Sequence, residues 1–147
     1  MQNKKLKKLY EETLDLYYKE ALEDVLECWD IFTSAKQFSE HYEDLLDVGV
    51  EVTNLRDRKT NKAFAVTKLE KDWSGDTQIN VYFDPIILGL SDQELAETIV
   101  HEIAHCCVYF DHGTLSPGGE AHGKDWKKYT SKFSKLFDVR DRYDQAC

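Results

Sequence analysis

The chain has 147 residues, the size of one domain, and a formal net charge of −9. This acidic balance argues against nucleic-acid binding over the whole surface, and no run approaches the ~20 apolar residues of a membrane span. The N-terminal sequence MQNKKLKKLYEE lacks the apolar segment of a secretory signal. We therefore expect one domain over residues 1–147 and no membrane association. The expected location is the cytoplasm, or the nucleoid or nucleus if the protein acts on DNA.

The first third of the chain, residues 1–46, has the pattern of two helices. Apolar residues recur every three or four positions from Leu6 to Phe32, which predicts one long helix with an apolar stripe. Ser34 and Gln37 have the spacing of a capping box, which predicts the start of a second helix. The stripe of the first helix consists of Leu6, Tyr10, Leu14, Tyr17, Ala21, Val25, Cys28 and Phe32.

Residues 47–85 change to the period of β-strands. Val48, Val50 and Val52 alternate, and the segments KAFAVTKL and TQINVYFDP are rich in β-branched and aromatic residues. Three short strands in succession predict a small antiparallel sheet. Pro85 ends the third strand or leaves it at a sheet edge, because proline cannot donate to a ladder.

Residues 91–138 have the pattern of a helix, a glycine-rich loop and a last helix. Ser91 with Glu94 forms a second predicted capping box. The element order α-α-β-β-β-α-α predicts an α+β fold with the helices on one side of the sheet. The expected buried stripe of the first of these helices is Leu95, Ile99, Ile103, Cys106 and Phe110.

The segment HEIAH, residues 101–105, has the pattern of a metal site. His101 and His105 lie four apart on a predicted helix, so their imidazoles share a face and can bind one metal ion at ~2.0–2.1 Å. Glu102 is rotated by ~100° and can instead accept a proton from a water molecule at the metal. This is the H-E-x-x-H arrangement of zinc peptidases. The alternative is two surface histidines beside an ordinary glutamate.

A catalytic zinc site needs a third protein ligand. His112, Glu120 and His122 are the candidates, and all three follow the H-E-x-x-H helix. His112 fits the metzincin spacing poorly, and Glu120 would make a site of the thermolysin type. His122 is favoured because it lies where the last helix begins, from which a side chain can reach back across the loop. His41, which lies among acidic residues, is expected to be exposed.

Two segments, ETIVHEIAHCC and EAHGKDWKKYTSKF, resemble the SprT-like zinc metalloprotease domain family of SprT and Spartan type. His122, Gly123 and Trp126 match the family's x-H-G-x-x-[FW] context after the H-E-x-x-H helix. The resemblance covers roughly residues 45–137 by order of elements. The cysteine zinc ribbon that bacterial members carry is missing, since the four cysteines form no C-x-x-C pair.

The resemblance implies a zincin-like fold and a zinc-dependent endopeptidase. The Zn²⁺ ligands would be His101, His105 and His122, and Glu102 would be the general base and acid for attack of water on a peptide carbonyl. An edge strand near QINVYF would pair with an extended protein substrate.

The substrate could be a DNA-associated protein, because lysines follow His122 on one helix face beside the predicted site. An ordinary solvated helix face is the alternative. A second class of function is a non-proteolytic, zinc-containing binding or adaptor module whose acidic surface docks on a basic partner. A structural zinc normally has four protein ligands, and no fourth is evident, which favours catalysis. The possible nucleic-acid contacts are Lys124, Lys128, Lys132 and Lys135.

Overall fold

The computed structural model describes residues 2–55 and 64–131 of the chain. Its elements follow the predicted order and confirm the α+β class, while the one-domain organisation stays a prediction. Among the helices of these residues, none combines the length and the apolar character that a membrane crossing needs. The helices are α1 Gln2–Thr33, α2 Tyr42–Leu46, α3 Asp92–His112 and α4 Lys124–Thr130; the strands are β1 Gly49–Val52, β2 Ala65–Lys71 and β3 Thr77–Phe83; and 3₁₀ helices span Lys36–His41, Pro85–Gly89 and Pro117–Gly119.

The sheet is mixed, so the prediction of an antiparallel sheet is wrong. The strand order is β1-β3-β2. β3 pairs antiparallel with β2, and it pairs parallel with β1, where Val50 lies opposite Val81. Alternating residues indicate which side chains face a core, but they do not indicate which strand pairs with which or in what direction.

The third strand is the central one, so the prediction that QINVYF lies at an edge is also wrong. Ile79, Val81 and Phe83 on β3 are buried in the core. The two edges of the sheet belong to β1 and β2. Pro85 ends β3 as predicted, and it begins the 3₁₀ helix Pro85–Gly89, for which the Asp84 carboxylate accepts a hydrogen bond from the amide of Ile86.

The long first helix is confirmed, but its apolar stripe reaches the core only in its second half. Ala21 and Val25 are 0% exposed and Trp29 is 5% exposed, in the same core as α3 and β1. By contrast, Leu6 and Tyr10 are 64% and 66% exposed. The helical period therefore identified the helix correctly, but it did not indicate how much of the stripe has a partner.

The predicted capping box of the second helix is not formed. The Ser34 hydroxyl donates to the carbonyl oxygen of Asp30 at 2.9 Å in the last turn of α1. Ala35 takes the N-cap position without a side-chain hydrogen bond, and the chain continues as a 3₁₀ helix before α2. A serine side chain can bond backward to the preceding turn as well as forward, and here the backward bond is present.

The helix α3 is the centre of the structure. Its predicted capping box is confirmed, since the Ser91 hydroxyl accepts from the Glu94 amide and the Glu94 carboxylate accepts from the Ser91 amide. Gly113 ends the helix in the left-handed conformation with φ 71°. Nearly every side chain from Ala96 to Val108 is buried, because α1, β2, α2 and α4 all contact this helix. The core face is therefore much wider than the predicted stripe.

The prediction that His41 is exposed is wrong. His41 is 7% exposed, and its Nε2 atom lies 2.7 Å from Asp111 Oδ1 and 3.2 Å from the Tyr129 hydroxyl. The Tyr129 hydroxyl also donates to the Asp111 carboxylate. This network joins a 3₁₀ helix to α3 and α4. The contacts span 70 and 88 residues of sequence, which no local pattern reports.

We predict that Tyr129→Phe destabilises the protein by about 1.5–3 kcal/mol, because it removes a hydrogen bond to a partly buried carboxylate. Tyr42→Phe is the matched control, since Tyr42 is 41% exposed, and its effect should be within about 0.5 kcal/mol. Denaturant unfolding of both variants measures the difference. Equal stability of the two variants would show that the Tyr129 hydroxyl contributes nothing.

Candidate metal centre

Three histidines meet between α3 and the start of α4. His101 and His105 lie one turn apart on α3 and are 1% and 5% exposed. His122 precedes α4 by two residues and is half-buried. The glycine-containing loop after Gly113 returns the chain to α3, which brings His122 beside the two helix histidines.

The three imidazoles converge through their Nε2 atoms. His101 and His105 are separated by 3.1 Å at these atoms, and His122 lies 3.3 Å from His101 and 3.1 Å from His105. A tetrahedral ion with metal–nitrogen bonds of ~2.0–2.1 Å needs ligand atoms about 3.3–3.4 Å apart. The nitrogens therefore match three corners of such a site. Within the described residues, no fourth histidine, cysteine or carboxylate joins this group.

Trp126 on α4 holds the three rings together. Its ring centroid lies 5.0 Å from that of His101, 5.9 Å from that of His105 and 4.8 Å from that of His122. The indole nitrogen donates to the backbone carbonyl of His101 at 3.3 Å. This residue is 4% exposed, so it fixes the start of α4 against α3 and thereby fixes His122.

The buried imidazole of His105 is in the form that binds metals. Burial, and to a lesser degree the charge of His122, lowers the pKa of His105 to about 3. The imidazole of His105 is therefore neutral at physiological pH and has a lone pair for a metal ion.

Glu102 lies beside the histidines. It is 1% exposed, and its Oε2 atom is 3.6 Å from His101 Nε2. Burial raises the pKa of Glu102 to about 8, while a hydrogen bond from Thr67 acts in the opposite direction. The carboxyl group is thus poised to exchange a proton in the neutral range.

Thr67 on β2 is a site residue that the sequence did not reveal. Its hydroxyl donates to Glu102 Oε1 at 3.0 Å and so fixes the carboxylate from the sheet side. A polar β-branched residue within a strand gives a weak sequence signal, because such residues are common there. The identification needed the knowledge that β2 packs on α3.

The other candidate ligands are not brought to the centre. His112, at the end of α3, lies with its Nε2 atom 3.1 Å from Asp125 Oδ1. Glu120 is exposed and does not belong to the histidine group. Of the predicted nucleic-acid contacts, Lys124 and Lys128 are exposed one turn apart on α4. Lys132 and Lys135 lie outside the described residues.

A second group of possible metal ligands comprises Glu40, His41 and Asp111. Its only buried member is His41, whose Nε2 atom is within hydrogen-bond distance of Asp111 and Tyr129. We therefore interpret this group as a hydrogen-bond network that holds the fold together. The three Nε2 atoms of the metal centre, in contrast, converge on one point.

The raised pKa of Glu102 predicts that the stability of the metal-free protein depends on pH. The folded state binds a proton up to about pH 8 and the unfolded chain only up to about 4.5, so this group makes stability fall as pH rises between those values. Glu102→Gln lacks this titration. We expect chelator-treated parent and variant to differ little below about pH 4.5, and the variant to be the more stable at about pH 9. Denaturant unfolding at both pH values measures this, and a constant difference would contradict it.

Comparison with known proteins agrees with this centre. The family model described as the SprT-like family matches residues 32–144, a range that contains α2 to α4, the sheet and the three histidines. The match extends beyond residues 45–137, over which the sequence resemblance was recognised. Searches of curated proteins and of solved structures gave no significant match. Because the family model covers more than half of its length, the chain belongs to the SprT-like family.

Proposed function

We propose that this protein is a zinc-dependent endopeptidase. The observation that carries the proposal is the group of three imidazole nitrogens 3.1–3.3 Å apart with a buried carboxylate 3.6 Å from one of them. Membership of the SprT-like family supports a metallopeptidase-type domain. The proposed ligands are His101, His105 and His122, and the proposed general base and acid is Glu102.

In the proposed mechanism, the zinc ion, when bound, supplies Lewis-acid chemistry that polarises the peptide carbonyl and makes water more acidic. The three histidines would hold the ion through their Nε2 atoms. Glu102 takes the proton of the attacking water on a carboxylate oxygen and then delivers it to the leaving amine. Thr67 keeps the carboxylate in place through its hydrogen bond to Oε1. Burial of Glu102 supports this role, because it raises the pKa of the carboxyl group to about 8.

For the substrate, we propose that an extended segment pairs with the edge of β2. The segment QINVYF on β3 cannot take this role, because β3 is already hydrogen-bonded to β1 along one edge and to β2 along the other. The strand β2 is at the sheet edge and carries Thr67, which contacts Glu102. Strand addition at this edge would bring a peptide alongside the proposed general base.

DNA-associated proteins are the substrate class that we propose. The support is that α4 begins two residues after His122 and exposes Lys124 and Lys128 on one face. Lysines in such a position can bind phosphates beside the centre, with an affinity that falls as the salt concentration rises. Addition of single-stranded DNA to the cleavage assay below tests this part separately, and cleavage that does not respond to DNA would remove it while leaving the peptidase.

We predict that Glu102→Gln abolishes peptide cleavage by zinc-loaded protein and leaves zinc bound. The loss should be at least about 10²–10⁴-fold, the usual contribution of a general base. Glu97→Gln is the matched control, because Glu97 is also a buried glutamate of α3, with 4% exposure, and should keep activity. The assay follows cleavage of a basic DNA-binding protein by gel electrophoresis, beside zinc content.

Two outcomes of this assay decide between the proposed classes of function. A Glu102→Gln protein that still cleaves would refute the mechanism. Zinc-loaded parent protein that cleaves nothing, with or without DNA, would favour the non-proteolytic binding or adaptor module. The position of Glu102 argues against that module, because a structural zinc has no need of a buried carboxylate beside its ligands.

The third ligand is tested by two histidine variants. We predict that His122→Ala weakens zinc binding by more than about 100-fold, since loss of an outer-shell partner alone costs about 10- to 100-fold. His112→Ala should bind zinc like the parent, because its imidazole faces Asp125. Competition with a chromophoric chelator measures both affinities. The reverse pattern would move the third ligand to His112.

Thr67 is tested by removing and by restoring its hydroxyl. Thr67→Val keeps the shape of the side chain but loses the hydrogen bond to Glu102, so kcat should fall about 10- to 100-fold with little change in KM. Thr67→Ser keeps the hydroxyl and should recover most of the rate. Zinc content should be equal in both variants. A change confined to KM or to zinc content would assign Thr67 a different role.

A further inference from the structure

One of the three tryptophans lies in the solvent at the end of a β-hairpin. Trp73 is 98% exposed in the turn that joins β2 to β3, whereas Trp29 and Trp126 are 5% and 4% exposed. Tryptophan is highly buried on average in folded proteins, and it is enriched where proteins bind partners. Single exposed apolar residues are nevertheless common, so the surroundings of Trp73 in the fold decide what it can bind.

The turn that carries Trp73 is braced by its own hydrogen bonds. Asp72 Oδ1 accepts from the amides of Ser74 and Asp76 at 2.9 and 3.0 Å and from the Ser74 hydroxyl at 2.6 Å. The bond from the Ser74 hydroxyl lowers the pKa of Asp72, so this carboxylate is charged at neutral pH. Gly75 completes the turn with φ 89°. The indole is therefore presented by an ordered turn, and binding costs less conformational entropy than it would in a mobile loop.

The strand β2 leads from the metal centre to this turn. Thr67, which contacts Glu102, lies on β2, and Trp73 follows it by six residues, about 20 Å of extended chain. Between them, Leu69 is 38% exposed and points to the same side of the sheet as Thr67. Among the strands that the structure describes, β2 pairs with β3 alone. A peptide that pairs with the other edge of β2 beside Thr67 would continue past Leu69 to the turn.

The charges at the turn favour a cationic contact. Asp72 and Asp76 lie on the two sides of Trp73 in the sequence, and both are exposed. The nearest cation in the sequence is Lys71, also exposed, so residues 71–76 carry two acids and one base. An indole face attracts an ammonium or guanidinium group, and carboxylates nearby add to that attraction. The same carboxylates repel phosphate, so nucleic acid and anionic lipid suit the turn less well.

We propose that Trp73 is a substrate-contacting residue, which stacks on a lysine or arginine side chain of the polypeptide about six residues from the bond that is cleaved. This inference rests on the proposed function and deepens it, because it makes the protein a peptidase that selects extended basic segments. The length of β2 between Thr67 and Trp73 sets the spacing between the cleaved bond and the selected residue. Proteins that bind DNA phosphates are rich in lysine and arginine, so the contact agrees with the proposed substrate class.

Binding of a labelled peptide tests the contact without catalysis. The probe is a peptide of alternating lysine and threonine with a terminal fluorescein, and anisotropy gives its affinity for the Glu102→Gln protein, which should not cleave it. Adding Trp73→Ala should weaken binding about 5- to 30-fold, and Trp73→Phe should weaken it less, because a ring face remains. Tyr42→Ala is the matched control, since Tyr42 is a 41% exposed aromatic residue on α2, and it should bind like the parent. A peptide with glutamate in place of lysine should not bind.

The sign of the charge is tested at the two neighbouring positions. Asp76→Asn should weaken binding of the lysine peptide about 2- to 5-fold, and Lys71→Ala should strengthen it by a similar factor. An oligothymidylate probe gives the opposite signs if the turn binds nucleic acid. That reversed pattern, with binding of the oligonucleotide lost in Trp73→Ala, would overturn the proposal and assign Trp73 to stacking on bases.

Cleavage kinetics separate this inference from the proposed function. For a basic substrate that extends well beyond six residues on each side of the cleaved bond, Trp73→Ala should raise KM about 5- to 30-fold and leave kcat nearly unchanged. For a substrate cut shorter than this on both sides, the variant should equal the parent. Peptide binding that needs Trp73, without cleavage by the parent, would keep the contact and remove the peptidase. Cleavage and peptide binding that are both indifferent to Trp73→Ala would keep the peptidase and overturn the contact.

Discussion

The convergence of three imidazole nitrogens between α3 and the start of α4 is the constraint on which the candidate centre depends. Three imidazole nitrogens at separations of 3.1–3.3 Å, two of them on buried residues, form a set of ligand atoms that a metal ion of the proposed kind would bind. Two of the nitrogens are fixed by the pitch of α3. The third comes from a residue 17 positions beyond His105, so the loop and α4 must be held firmly against α3.

Two aromatic residues of α4 provide that support from its two ends. Trp126 contacts all three imidazole rings and donates to the backbone of His101, while Tyr129 bonds to Asp111 and His41 one helical turn farther on. The first interaction positions the histidine that precedes α4, and the second ties the same helix to the end of α3. A short helix with little propensity to form alone is thus fixed by its tertiary contacts.

The two halves of α1 differ in how far they are buried. Its second half packs Ala21, Val25 and Trp29 into the core that surrounds α3. Its first half precedes the residues matched by the family model and leaves Leu6, Leu9 and Tyr10 exposed to solvent.

The sequence by itself determined what depends on local spacing. Three features follow from residues within one or two turns of each other. They are the helical repeat of apolar residues in α1, the capping box of Ser91 and Glu94, and the position of His101 and His105 on one helix face. These interactions join residues that are close to each other in the sequence. They fix which elements form and which side chains share a face.

Only the tertiary structure decided the relations between elements. In the sheet, β3 is the central strand. The sequence did not show this, because the alternation of residues along a strand carries no information about which strands lie beside it. The contact of buried His41 with Asp111 joins residues that are 70 positions apart, and the hydrogen bond from Thr67 to Glu102 joins residues that are 35 positions apart. His122 could be favoured from the sequence, but its meeting with the α3 histidines required α4 to pack against α3 through Trp126. Such contacts depend on how whole elements pack, and local sequence does not specify that packing.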